Sequence, residues 1–286
     1  MMTFLKENAR FLTAGALLTF SSSFGQTYFI AIFAAQIMSA YGLSDGGWGG
    51  LYTVSTTASA VVMFWAGALT DHFRARRLAL VVFPALALVC VMMASTTSLG
   101  FLFVIIFLLR LLGQGMMSQI AITAMARWFV ARRGTALSIS IMGFSAGQAI
   151  LPVALASVMQ VIDWRMVWLG SAGLLLVTLP LVLWLLAAER TPQSLSNETS
   201  VAGMGNRHWT RQEVLRSPIF WLLMPLLLGP PSWGTALFFQ QVHIASEKGW
   251  ALVEYLALIP LLTAVTVATT LIAGQRTEER RVRKEN

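Results

Sequence analysis

Eight long apolar runs constrain this chain more than any other feature of its sequence. They extend roughly over Leu12–Met38, Trp48–Leu69, Leu78–Ala94, Leu99–Ala126, Thr135–Val161, Met166–Ala187, Ile219–Val242 and Trp250–Ala273. A helix needs about 20 mostly apolar residues to cross the hydrocarbon of a bilayer, and these runs are close to or above that length. In lipid the backbone must satisfy its own hydrogen bonds. Runs this long do so as helices, whereas barrel strands are about half as long and alternate in polarity. The expected fold class is therefore all-α, a polytopic membrane protein. Composition agrees: 57% of residues are hydrophobic and only 11% charged, with a mean hydropathy of +0.71. So few charges cannot cover the surface of a soluble enzyme of 286 residues, and the same numbers exclude a disordered chain. The single cysteine, Cys90, forms no intrachain disulfide and supplies no thiolate cluster for zinc.

The net charge is +8. Such a balance can signal nucleic-acid binding, but the placement of the cations argues against it. Of 20 Lys and Arg, 17 lie in the N-terminal stub, in the connections after runs two, four and six, and in the C-terminal tail. Only Arg165 and Lys248 lie in the intervening connections, and Arg110 falls inside a run. This is a positive-inside pattern: a multi-pass protein of the cell (inner) membrane, both termini cytoplasmic, with the bilayer as partner and no nucleic acid. Trp48, Trp164, Trp168 and Trp250 fall near the expected outer interface, and Trp128, Trp184 and Trp221 near the inner one, as an aromatic belt requires. The first apolar run is too long for a signal-peptide core and is expected to be retained.

Residues 188–218 are polar and turn-rich and separate a six-span block, 1–187, from a two-span block, 219–275, followed by a basic tail, 276–286. A short interfacial helix over Trp209–Glu213, capped by Thr210, is expected at the end of the linker.

Polar residues inside the runs are the candidate site. Arg110 lies some ten residues into the hydrocarbon, where an unpaired Arg costs roughly 2.5–3.5 kcal/mol on insertion scales, so it should face the bundle interior. Gln114 and Ser118 follow at i+4 and i+8, a polar stripe on one helix face. Gln26 and Tyr28 in run one, Gln148 in run five, and Trp233 and Gln240 in run seven add to the set. Run seven also carries Pro230-Pro231, read as a helix break of the kind from which transporters build solute sites. Two readings of Arg110 stay open: an arginine that binds an anionic solute or assists proton coupling, or a structural one satisfied by neighbouring carbonyls. Catalytic residues, metal ligands and cofactors are not expected. The three histidines, at 72, 208 and 243, are far apart, and no zinc-protease motif, nucleophile elbow or P-loop occurs.

The connection after run two reads Gly67-Ala-Leu69-Thr-Asp71-His72-Phe73-Arg74-Ala75-Arg76-Arg77. It resembles the signature loop of the major facilitator superfamily, G-x-L-x-D-R-x-G-R-[RK]-[RK], at Gly67, Leu69, Asp71, Arg76 and Arg77. It departs from that loop at His72, Arg74 and Ala75. Gly67 would allow close helix approach. Asp71, at the negative end of its helix, should require a cation or another helix's N-terminus. Arg110-Leu-Leu-Gly113-Gln114-Gly115 is similar to the superfamily's fourth-helix motif, R-x-x-x-[QG]-G. The stretch Ala126–Ala136, then Gly143, Gly147, Pro152 and Asp163-Trp164-Arg165, looks like the monocarboxylate-transporter-like branch. The resemblance implies a secondary transporter working by alternating access, carrying a small-molecule solute such as a small organic anion, with H+ as a candidate coupling ion. A non-transporting remnant of such a transporter is the alternative. Because the superfamily has twelve spans, and because Gly274-Gln275 leads into a charged tail where the signature loop would recur, the resemblance also implies truncation after eight spans. It leaves the oligomeric state open.

Overall fold

The computed structural model describes residues 2–129, 132–188, 210–269 and 272. Most of these residues are helical, and no strand occurs among them. Seven helices among the described residues are long and apolar enough to cross a membrane. They are Asp45–His72, Ala75–Ser95, Leu99–Trp128, Arg133–Val158, Trp164–Leu185, Pro218–Phe239 and Leu252–Thr269. The pair Thr3–Gly25 and Thr27–Tyr41, bent by 46°, meets the same length and composition criteria when taken together, and comes first in the chain as a candidate broken span. In chain order these are spans 1 to 8, and each coincides with one of the apolar runs. The tail 276–286, on which the expectation of truncation rests, lies outside the described residues, as does most of the linker.

Spans 1 to 6 form one bundle. Span 1 packs along span 5, and span 3 along span 6. Small residues set the separation of spans 1 and 5. A Cβ added at Gly143 would run into the Ala16 carbonyl, and one at Gly147 would meet Ser23, so both glycines serve close helix packing. Span 6 buries Trp168 completely against Phe29 and Phe33, with ring centroids 5.2 and 4.9 Å away. Trp48 and Trp128 are buried as well, so these three tryptophans are interior packing rather than belt. Trp184, Trp221 and Trp250 are exposed, as a belt requires. Interfacial position in a sequence and burial in a bundle both select tryptophan, and spacing alone does not separate them.

Charged side chains stitch the span ends. Arg10 Nε donates to the Leu185 carbonyl, and Arg165 Nη1 donates to the carbonyls of Ala94 and Thr96 at 2.9 and 2.8 Å, closing the C-terminal end of span 3. The short helix before span 7 runs over Arg211–Arg216, with a capping box between Thr210 and Glu213.

Span 7 corrects one expectation. It stays helical through Pro225, Pro230 and Pro231, and the break comes at Gln240, where the chain turns into the helix Gln241–Lys248. Proline fixes a helical φ and removes one N–H. A helix among other helices and lipid tolerates it where the freed carbonyl finds another donor. No residue of span 7 is buried. The second block meets the first through Phe238, Phe239 and Gln241 at the end of span 7, and through Leu256 and Ile259 of span 8. The contacts of span 7 with the bundle therefore concentrate at the end opposite the N-terminus.

Candidate functional site

Two adjacent helix irregularities build the site. Span 1 breaks at Gln26, whose backbone is extended (φ −82°, ψ 152°) between the short 3-10 turn Ser22–Gly25 and the helix from Thr27. Span 4 runs as a π-helix over Leu109–Met117. The two irregular segments touch glycine to glycine: a Cβ added at Gly113 would lie 2.6 Å from the Gly25 Cα, and one at Gly25 would lie 2.7 Å from the Gly113 Cα. The break frees carbonyls that a continuous helix would satisfy, and Arg110 answers one of them. Its Nη1 donates to the Gly25 carbonyl at 3.3 Å and to Thr27 Oγ1 at 2.9 Å. The guanidinium lies over the Tyr52 ring, 5.6 Å from its centroid. Tyr52 in turn donates to Thr27 Oγ1 at 3.0 Å.

Arg110 is 5% exposed and has no carboxylate partner among the described residues, and its Nε is buried without a hydrogen-bond partner. A buried cation in that state is costly, and a charged donor left unpaired forfeits a charge-assisted bond. Two cavities meet at it. One of about 460 Å³ lies between spans 2 and 7, lined by Tyr52, Thr53, Thr57, Ser232, Thr235 and Phe239 among others. The second, of about 310 Å³, lies between spans 2 and 4, with Thr56, Ser59, Gln114, Ser118 and Gln119 on its wall. Hydroxyls line both, the amides of Gln114 and Gln119 join them in the second, and no acidic side chain lines either. Chemically, such an arrangement can hold a small anion whose charge meets Arg110 and whose remainder meets hydroxyls and apolar groups.

Of the residues singled out in the sequence, Arg110, Gln114 and Ser118 share one cavity. Gln26 and Tyr28 are buried at the span 1 break, where Gln26 bonds Ser22 Oγ at 3.3 Å and Tyr28 bonds Ser23 Oγ at 2.7 Å. They brace the break and do not line the two cavities. Gln148 is half-buried in span 5 and lies outside both. Trp233 is 76% exposed and points away from the site. Gln240 lines a separate vestibule beyond the end of span 7. Thr27, Tyr52 and Phe239 were not legible as site residues. Span 2 carried a signal in its hydroxyl-rich stretch Thr53, Ser55, Thr56, Thr57 and Ser59.

At the bundle's N-terminal face, Asp71 closes span 2 and forms an ion pair with Arg127 at the end of span 4, whose Nη1 also donates to the Thr70 carbonyl at 2.8 Å. Asp71 thus has the cation its helix-end position requires. Leu69, Arg76 and Arg77 are exposed beside it. A Cβ at Gly67 would meet only Met63 of its own span, so this glycine does not serve close approach by another helix here. Because the ion pair is substantially exposed, a double-mutant cycle with Asp71→Asn and Arg127→Gln should give a coupling of no more than about 1 kcal/mol in thermal unfolding. A larger coupling would show that the pair is part of the bundle's structural core.

Residues 15–284 match the sequence profile of the Major Facilitator Superfamily, which covers nearly the whole chain. No curated protein matches it.

Proposed function

The chain belongs to the Major Facilitator Superfamily, and from that premise we propose that it is a secondary transporter of a small organic anion that works by alternating access and holds its solute at Arg110. The superfamily is one of transporters, and the helices described here place this chain among multi-pass membrane proteins. The observation that carries the anion is Arg110 itself. It is a buried guanidinium with an unpaired Nε and no carboxylate partner among the described residues, standing where two hydroxyl-lined cavities meet. Gln114 and Ser118 would complete the solute's polar contacts from span 4. The likeness of residues 126–165 to the monocarboxylate-transporter-like branch favours a carboxylate and makes the proton the coupling ion to test. Residues 1–187 and 219–275 would be the two moving blocks, joined by 188–218, with the loop at Gly67, Leu69, Asp71, Arg76 and Arg77, and its partner Arg127 of span 4, acting in their relative motion.

Uptake of radiolabelled monocarboxylates by the chain in proteoliposomes, with and without an inward proton gradient, tests this reading. The expected result is saturable uptake above protein-free vesicles, accelerated by the gradient. Uptake equal to that of empty vesicles would overturn it, and uptake indifferent to the gradient would remove the proton.

The distribution of basic residues supports a cell-membrane location with both termini cytoplasmic. A reporter fused to the C-terminus should be active on the cytoplasmic side, and activity confined to the outer side would contradict that orientation.

A further inference from the structure

Span 1 carries a line of small residues on one face. Ala9, Thr13 and Ala16 recur at i+4 and i+3, and the bulkier Leu12, Leu17 and Phe20 stand around them. This face meets span 5 at Gly143, where an added Cβ would run into the Ala16 carbonyl. Close contact there, with larger side chains to either side, leaves a groove of about 400 Å³ between the two spans. The groove extends from Leu5 at the N-terminal face to Phe20 near the span 1 break, and its side chains are apolar but for Thr13. Ala9 and Thr13 are exposed, so it is open along its length.

Leu5 to Phe20 covers about 22 Å of helix rise. That is one leaflet, about half of a bilayer roughly 40–45 Å thick with its headgroups. The second block meets the first at the opposite end, through Phe238, Gln241, Leu256 and Ile259, and contributes no residue to the groove. At this depth an open apolar groove faces hydrocarbon. Its walls forfeit dispersion contacts unless something fills it, and a flexible acyl chain fills an irregular channel of this length.

The charges at the N-terminal end of the groove select the headgroup. Lys6 follows Leu5 and lies within about 60° of the small-residue line by helical phase. Arg132, which precedes span 5, sets its guanidinium over the Phe4 ring, 5.1 Å from the centroid, on the other flank of Leu5. Both residues are exposed. The neighbouring arginines are engaged: Arg10 with the Leu185 carbonyl, Arg133 with the Ala126 carbonyl and Arg127 with Asp71. Lys6 and Arg132 have no ion pair among the described residues. Glu7 lies on the face of span 1 away from the groove, and no acidic side chain lines it. Two cations thus flank the mouth of an apolar channel at headgroup depth.

We propose that the groove between spans 1 and 5 is a binding site for an anionic phospholipid, with an acyl chain along Ala9, Thr13 and Ala16 and the phosphate between Lys6 and Arg132. The site requires span 1 to lie in the bilayer and is independent of any solute at Arg110.

The test is native mass spectrometry of the full chain in detergent, titrated with 1-palmitoyl-2-oleoyl phosphatidylglycerol and, separately, with phosphatidylcholine bearing the same chains. The first phosphatidylglycerol should bind the parent about thirtyfold more tightly than phosphatidylcholine, since each cation near a headgroup contributes about fivefold. Lys6→Gln and Arg132→Gln should each lose about fivefold of that preference, and the double variant nearly all of it. Thr13→Trp, which fills the groove from an exposed position, should abolish tight binding of the first lipid of either kind. If Thr13→Trp does not fold, Ala9→Leu should weaken both lipids in the same direction. sn-Glycerol 3-phosphate at the same concentration should displace neither. Equal binding of the two lipids to the parent would overturn the proposal, as would a preference unchanged in the double variant. Undiminished phosphatidylglycerol binding with the groove filled would overturn it too, and displacement by glycerol phosphate would make the cations a site for free phosphate instead. Failure of anion uptake would leave all of these outcomes unchanged.

Discussion

Arg110→Ala should abolish anion uptake, and Arg110→Lys should restore little of it. Lysine keeps the charge but replaces a planar fork by a point charge. In the structure Nη1 is already committed to the Gly25 carbonyl and Thr27 Oγ1, and the guanidinium stacks on Tyr52. An ammonium can do one of these things or meet the solute, whereas the guanidinium has donors for both. Removing one partner of a buried charged pair costs roughly 2–5 kcal/mol, about thirty- to several-thousand-fold in affinity. Stability should respond much less. Losing Arg110 also removes the cost of burying an unpaired cation, which offsets the lost bonds to span 1. Initial uptake rates and apparent melting temperatures of the two variants, measured on the same preparations, check this. Collapse of both together would make Arg110 a structural residue that only braces the span 1 break.

The largest effect on folding should come from Gly25→Val. An added Cβ there would lie 2.7 Å from the Gly113 Cα and 2.8 Å from the Gln114 backbone nitrogen, and it would collide with the Leu109 carbonyl. These are backbone atoms of span 4, so no rotamer change relieves the contact and the spans must separate. Overpacking of cores costs about 1–3 kcal/mol where side chains can adjust, and more is expected here because they cannot. The variant should be recovered poorly or melt well below the parent. Gly170→Ala is the control of opposite sign: nothing lies within 4 Å of its added Cβ, and it sits inside a helix. Alanine there should stabilise by about 0.4–1 kcal/mol. Equal melting temperatures for Gly25→Val and the parent would contradict the glycine-to-glycine contact.

The spans were legible because hydrocarbon thickness fixes how long an apolar run must be, and a bundle in lipid leaves few alternatives. Arg110, Gln114 and Ser118 were legible for a related reason: a charge that deep has to face inward, and the following polar residues lie on its side of the helix. Asp71 was legible through its helix end, which demanded a cation, although nothing in the spacing singled out Arg127 as the donor. Span 7 was read less well. Which of its faces turns inward depends on the joint at Gln240, and the conspicuous pair Pro230-Pro231 drew attention to a place where the helix simply continues. Trp233 and Gln240 stand out there for polarity, while span 7 meets the Arg110 cavity through Pro231, Ser232, Thr235 and Phe239, which spacing alone does not single out. The π-helical stretch of span 4 was also hidden. Gly113 and Gly115 permit it, but only the opposing break in span 1 shows why an altered helical winding is useful at that height.

Equilibrium binding to the purified chain tests the central claim most directly: that Arg110 holds an organic anion. The ligands are a short carboxylate and its uncharged amide analogue, titrated into the parent protein and into Arg110→Ala, with Trp and Tyr fluorescence as readout because Tyr52 and Trp48 adjoin the cavity system. Saturable binding of the carboxylate to the parent alone, with neither the amide nor the variant showing it, is the predicted result. Equal binding of carboxylate and amide, or carboxylate binding undiminished in Arg110→Ala, would contradict it.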